Sequence, residues 1–342
     1  TIVGHHLSWI TSHPSDKFLI YTGLEQADGE VAAIKYGWSG TVEEGEVVAR
    51  AKSGGADPCS LLVAEDEFII RNVSPQKVSS TYSNVPFLAS ASASTCRSDK
   101  TRQSSSHPHQ IILNPLNQTE QELLVPDLGT DKVWRLTKRN DGKLSIRDHI
   151  DFEARGGPRH IAARGNTLYT LLELTSKLAV HTFPLLPVPP ARLTSLFTLS
   201  ALPIPDTMFA VEILLPEPNA SFPETFIYTL NRNDPHSEGY SIAIFSLAAG
   251  EGQPELVNEV RTGLIHVRGM VFGGDEDKYL VEGGVEGGEV KVFERIDSGK
   301  GLQEIAKLGE DVVARWPSHW LLVAPRSQDV NWWTYICSPA GV

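Results

Sequence analysis

The segment PRHIAARGNTLYTLLEL, residues 158–174, sets two short apolar runs on either side of the polar turn Ala163-Arg164-Gly165-Asn166. It carries Arg159 near one end and Glu173 near the other. Two apolar runs of strand length joined by such a turn predict an antiparallel hairpin. Whether the two charged residues belong to a site depends on whether this hairpin is one copy of a repeated unit.

It is repeated. The same strand–turn–strand pattern appears in SWITSHPSDKFLIYTGL from Ser8, DPCSLLVAEDEFIIRNV from Asp57 and PHQIILNPLNQTEQELLVPDL from Pro108. Later copies are FAVEILLPEPNASFPETFIYTLNR from Phe209 and VRGMVFGGDEDKYLVEGG from Val267. Successive copies start 49, 51, 50, 51 and 58 residues apart. A third strand follows in LEQADGEVAAIKY, LGTDKVWRL, LTSKLAVHTF and VEGGEVKVF, each with the period-2 alternation of a half-buried strand. A weaker fourth, such as GKLSIRDHIDF, closes some units.

Four short strands per unit of about 50 residues is the signature of a β-propeller blade. The 342 residues accommodate nearly seven such units. Six are visible, and ARWPSHWLLV (314–323) together with the first residues predicts a seventh built from both termini. Such closure removes exposed sheet edges. The expected fold is therefore all-β, a seven-bladed propeller of four-stranded antiparallel blades, forming one domain over 1–342. Two stacked β-sandwiches would explain the even spacing less well. Residues 74–106 and 184–207 interrupt the pattern and read as long insertions, surface excursions that could fold over the axial mouth. After EFIIRNV in particular, no alternating strand is evident.

Composition narrows the function. With 41% hydrophobic and 21% charged residues the chain is globular in type, and no run of about 18 apolar residues suggests a membrane span. A formal charge of −12 argues against a nucleic-acid groove, though a few converging arginines can still hold a small anion. Cys59, Cys96 and Cys337 form no zinc spacing, and no metal or other cofactor is expected. The chain starts at Thr1, and Asn72, Asn117 and Asn219 head glycosylation sequons. These features suggest a secreted protein whose signal peptide is removed, with the cytoplasm as the alternative. Oligomeric state is not legible.

In a propeller the innermost strand of each blade lines the axis, so residues at one phase of the repeat converge. His109, Arg159 and Arg268 share the start of the first strand. Glu173 and Arg232 share the end of the second. A lone His or Arg on a strand is usually structural; a shared phase makes a site.

The stretches SHPHQIILNP, VPDLGTDKVWRL and GPRHIAARGNTLYTLLEL, with the VRGM repeat, resemble the seven-bladed propeller lactonase family. That family includes propeller-type 6-phosphogluconolactonases and fungal 3-carboxy-cis,cis-muconate lactonizing enzymes. The resemblance implies an active site of His109 in HPHQ, Arg159 in GPRH and Glu173 in LLEL. Arg232 in TLNRN matches a further arginine of the family, and Arg268 joins it as a substrate-binding candidate by phase. Arginines suit carboxylate clamping and the charge of an enolate or oxyanion. His109 or Glu173 could carry the proton. The expected activity is a carboxymuconate-type cycloisomerase acting on a small carboxylated substrate. The alternatives are a lactonase hydrolysing a sugar-acid lactone, or a non-catalytic binding propeller. Neither a P-loop, a G-x-S-x-G elbow nor a convincing metal-ligand cluster occurs.

Overall fold

The computed structural model describes residues 7–16, 18–37, 45–64, 67–74, 77–80, 84–86, 102–115, 122–286, 289–309, 322–323 and 334–335. Apart from three-residue 3-10 turns at Glu173–Thr175, Asp275–Asp277 and Asp297–Gly299, these residues hold strands, turns and loops. No helix among them is long and apolar enough to cross a membrane. The chain forms two compact units that part between Gly157 and Pro158.

The first unit contains three four-stranded antiparallel sheets. The first is β1 (Leu7–Ser12), β2 (Leu19–Leu24), β3 (Glu30–Lys35) and β4 (Glu46–Lys52), paired in chain order. The second is β5 (Ala56–Ala64), β6 (Glu67–Ser74), β7 (Lys77–Ser80) and β8 (Asn84–Pro86). The third is β9 (Ile112–Leu113), β10 (Leu123–Asp127), β11 (Lys132–Lys138) and β12 (Leu144–Asp151). Leu61 and Ile70 pack with Val31, and Tyr21 meets Phe68 edge-on at 4.5 Å, joining the first two sheets. Ile69 packs instead with Leu123, Val125 and Trp134 of the third.

The second unit repeats the design three times. Its sheets are β13 (Pro158–Arg164), β14 (Thr167–Leu172), β15 (Lys177–Thr182) and β16 (Arg192–Phe197); then β17 (Phe209–Leu214), β18 (Phe226–Arg232), β19 (Ser241–Ser246) and β20 (Glu255–Arg261). The third is β21 (Ile265–Gly273), β22 (Tyr279–Glu286), β23 (Val290–Ile296) and β24 (Gly301–Leu308). A two-stranded pair, β25 (Leu322–Val323) and β26 (Thr334–Tyr335), follows.

Strand parity explains the core. On β18, Phe226, Tyr228 and Leu230 face the sheet of Val267, Leu280 and Phe293, while Ile227 faces that of Tyr169, Leu171 and Val180. Alternate residues point to opposite faces, and both faces are covered. The middle strands β14, β18 and β19 are therefore almost wholly buried and read as continuous apolar runs. The fourth strands β4, β12, β16, β20 and β24 are the wet edges, as in RLTSLF of β16.

Strands also lie inside the two interruptions of the sequence pattern. β16 lies inside the segment 184–207, and β7 and β8 lie inside 74–106, where no strand after EFIIRNV was evident. The edge strands β8 and β16 pair through the backbone on one side only and need no apolar alternation, so NVP and RLTSLF carry little pattern, while β7, held between β6 and β8, is the four-residue run KVSS and too short to show one. Closure of the ring by both termini involves residues outside those described, as do Asn117, Cys96 and Cys337. Asn72 is fully buried and donates to the Ser53 carbonyl at 3.1 Å, so in this fold it is no glycan acceptor.

One irregularity recurs in every four-stranded sheet. The register of first strand on second steps by one residue between Leu7 and Ile10, Pro58 and Ser60, Pro158 and His160, Ala210 and Glu212, and Val267 and Met270. In the third sheet the step falls between the Pro108–Asp127 bridge and the Ile112–Leu124 pair. Each is a β-bulge, which bends the strand and re-aims a side chain.

Candidate active site

The bulge is what places Arg159. Gly157 turns the chain with φ of +65°, a left-handed conformation that glycine adopts without strain, and Pro158 starts β13. Pro158 pairs with Leu172 and His160 with Leu171, leaving Arg159 as the extra residue. Its Nε donates to the Val211 carbonyl at 2.9 Å, and Val211 is itself the extra residue of β17. Its Nη1 donates to Glu173 Oε2 at 2.8 Å.

Glu173 follows β14 at the start of a 3-10 turn and is fully buried. Arg232, the last residue of β18, donates from Nη2 to Glu173 Oε1 at 2.8 Å, its guanidinium 5.7 Å from the centre of the Phe209 ring. A buried carboxylate is strongly unfavourable without compensation, and two charge-assisted hydrogen bonds supply it here. The two arginine side chains are 11% and 14% exposed, whereas the carboxylate is closed off at 0%. The three groups together carry one net positive charge. Such a cluster can attract an anion and stabilise an oxyanion.

The second unit thus brings together Arg159, Glu173 and Arg232. Arg268 lies in β21 at its bulge, between Val267 and Met270; its backbone is among the described atoms and its side chain is not. His109 belongs to the first unit, within the bulge after Pro108. Its amide donates to the Pro126 carbonyl at 2.9 Å, and its ring lies 4.6 Å from that of His107.

Sequence reasoning passed over a second polar pair. His160 Nδ1 lies 2.6 Å from Glu212 Oε1, which also accepts from the Ile213 amide at 3.0 Å. His160 and Glu212 are each the first paired residue after the bulge of their strands, so aligning PRH with AVE would have matched them. Among the described residues no group of three or more His, Cys, Asp or Glu is placed to hold a metal ion.

The profile of the family described as lactonase, 7-bladed beta-propeller matches residues 1–317. Among solved structures, a Bacteroides uniformis protein assigned as a 6-phosphogluconolactonase superposes with a TM-score of 0.74 at 18% identity, covering 91% of this chain and 86% of its own. A Bacteroides fragilis protein with the same assignment gives 0.72 at 19% identity, covering 88% and 84%. The periplasmic gluconolactonase of Pseudomonas aeruginosa gives 0.70 at 17% identity, covering 88% and 85%. No curated protein matches in sequence. Likeness at these identities speaks for the fold, which is that of an all-β propeller, and leaves the substrate open. From the profile and the repeated four-stranded sheets, the chain belongs to the lactonase family of seven-bladed β-propellers.

Proposed function

We propose that the protein hydrolyses a lactone of a sugar acid, with Arg159, Glu173 and Arg232 as its anion- and oxyanion-binding cluster. The observation that carries this reading is the buried Glu173 carboxylate gripped by two guanidinium groups from neighbouring sheets. Glu173 accepts one guanidinium on each oxygen, so its part is to hold both arginines in place rather than to deliver a proton. Water attack on a lactone carbonyl puts negative charge on the carbonyl oxygen, and ring opening then leaves a carboxylate. Both species suit a cluster with net positive charge. Proton transfer is assigned to His109 on its HPHQ motif, and substrate contact to Arg268 on its phase.

Membership of the lactonase family supports lactone chemistry, and the names of the structural neighbours favour hydrolysis of a sugar-acid lactone over muconate cyclisation. Closing a muconate to its lactone would draw on the same charges, so the assay must include both directions. The purified protein is given sugar-acid lactones with and without a phosphate, followed by acid release, and cis,cis-muconates, followed by absorbance. Accelerated acid release that Arg159→Ala removes is the expected result. Muconate consumption without lactone hydrolysis would transfer the assignment to cyclisation; inertness toward both would favour a binding module. His109→Ala is expected to lower turnover by about 10²–10⁴-fold, the usual contribution of a positioned proton-transfer group.

A further inference from the structure

The first unit holds another chemical group at the bulge, one that the proposed reaction does not use. Between Pro58 and Ser60 the register of β5 on β6 steps by one, so Cys59 occupies the position that Arg159 has on β13. Cys59 is partly exposed and forms no disulfide. Arg71 on β6 is fully buried, and its Nη1 donates to Cys59 Sγ. Among the described residues the Nε and Nη2 of Arg71 are buried with no hydrogen-bond partner.

A guanidinium keeps its charge at any pH the fold survives, and burying it without a counter-charge is strongly unfavourable. Among the described residues the one acceptor that Arg71 reaches is the sulfur. A thiol is a weak acceptor of hydrogen bonds, whereas a thiolate is a full counter-charge. The strands packed on β5 bring no rival: β1 and β2 contain no Asp, Glu, Lys or Arg, and Tyr21 is their one titratable group. On β6, Glu67 stands at the far end of the hairpin, where Lys138 Nζ reaches it at 2.8 Å. Asp57, two residues before Cys59 on β5, and Lys77, the first residue of β7, are the remaining charged residues of these strands.

We infer that Cys59 is a thiolate paired with Arg71 and a site of oxidation by hydroperoxides. The thiolate attacks one peroxide oxygen; an S–O bond forms, the O–O bond breaks, and the departing oxygen leaves as water after taking the proton of the nascent sulfenic acid. Sulfur loses two electrons and the peroxide gains them, so hydrogen peroxide and thiolate become sulfenate and water with charge unchanged. The sulfenate keeps a negative charge opposite Arg71, which a neutral adduct would not. Products that leave an anion on the sulfur are therefore favoured, and sulfenate is a reversible state.

The test uses the full chain, with peptide mass spectrometry separating Cys59 from Cys96 and Cys337. At about pH 5.5 an ordinary thiol, with a pKa near 8.5, is almost wholly protonated. Iodoacetate is then expected to carboxymethylate Cys59 at least tenfold faster in the folded protein than in the urea-unfolded chain. Stoichiometric hydrogen peroxide followed by dimedone should label Cys59 in the folded state. Arg71→Met should erase the rate advantage and Arg71→Lys should restore part of it. Equal or slower alkylation of folded wild type would overturn the inference, as would an unchanged rate in folded Arg71→Met. Should Arg71→Met fail to fold, the wild-type comparison decides alone.

Discussion

Glu122 in the first unit and Glu173 in the second are both fully buried carboxylates held by arginine, yet they are built for different ends. Glu122 meets one arginine, Arg135, through Nε and through Nη2 at 3.1 Å, with Asn114 also donating at 2.7 Å. Both side chains of that pair are 0% exposed and their charges cancel. Glu173 instead meets two arginines, each with some surface open to solvent, and the cluster keeps a positive excess. A neutral, closed pair can only hold the fold together. An over-charged, partly open one can also hold a ligand.

The sharpest way to break this contrast is to remove one charged member of each cluster and see whether stability or turnover suffers. Truncating one member of a fully buried ion pair leaves a bare charge, so Glu122→Ala is expected to lower unfolding free energy by about 3–5 kcal/mol. Urea denaturation measures this, and the activity of molecules that remain folded should be unchanged. A near-neutral result would deny Glu122 its structural part. Arg159→Ala should act the other way, reducing kcat/KM on the true substrate by about 10²–10³-fold, the usual loss for one oxyanion donor. Its stability loss should stay below that of Glu122→Ala, and the reverse order would undo the division between the two sites.

Glu282 adds a third case, a buried carboxyl with no arginine. Among the described residues neither of its oxygens has a well-formed hydrogen bond, the Thr262 hydroxyl being near but poorly aligned, and Lys291 opposite it on β23 donates to the Thr262 carbonyl at 2.7 Å and to Glu304 at 2.9 Å. Burial pushes its carboxyl up to about 8, and the nearby Thr262 hydroxyl and Lys291 charge pull it back only in part. Since the folded value is raised, the neutral group's stabilisation is full below the ordinary value of 4.5 and is lost as pH rises through about 8. Glu282→Gln is therefore expected to exceed wild type in stability at pH 8 by on the order of 4 kcal/mol, with the gap closing near pH 4. Parallel melts at the two pH values check it; a gap independent of pH would mean that ionisation is not the cause. The smallest effect belongs to the surface pair Arg139–Asp141, whose side chains are both 50% exposed. Arg139→Ala should leave the urea midpoint essentially unchanged, because water already solvates both charges. A larger loss would show that burial is not what separates these pairs.

Much of this was legible before any coordinates. Ile227 and Tyr228, or Leu171 beside Glu173, announce strands by their alternation and turns, and the spacing of the copies announces sheets of one kind. The phase of Arg159, Glu173 and Arg232 could be read from the same spacing, because their positions within the repeat are local facts. The edge strands β8 and β16 could not, since backbone pairing at an edge leaves no mark on side-chain pattern, and neither could β7, a four-residue strand inside its sheet.

By itself, then, the chain's order of residues determined the all-β repeat, the blade-like unit of four strands and the arginines and glutamate worth watching, because strand periodicity and turn chemistry act over a few residues. Only the tertiary structure decided which charges meet. A bulge is one extra residue set against a partner strand, so neither Arg159 nor Cys59 shows its exceptional position until β14 or β6 is paired with it. The partners of His160, Glu173 and Arg71 lie 52, 59 and 12 residues away, at Glu212, Arg232 and Cys59. Their contacts depend on register and burial, which are properties of the packed sheets and not of any one segment.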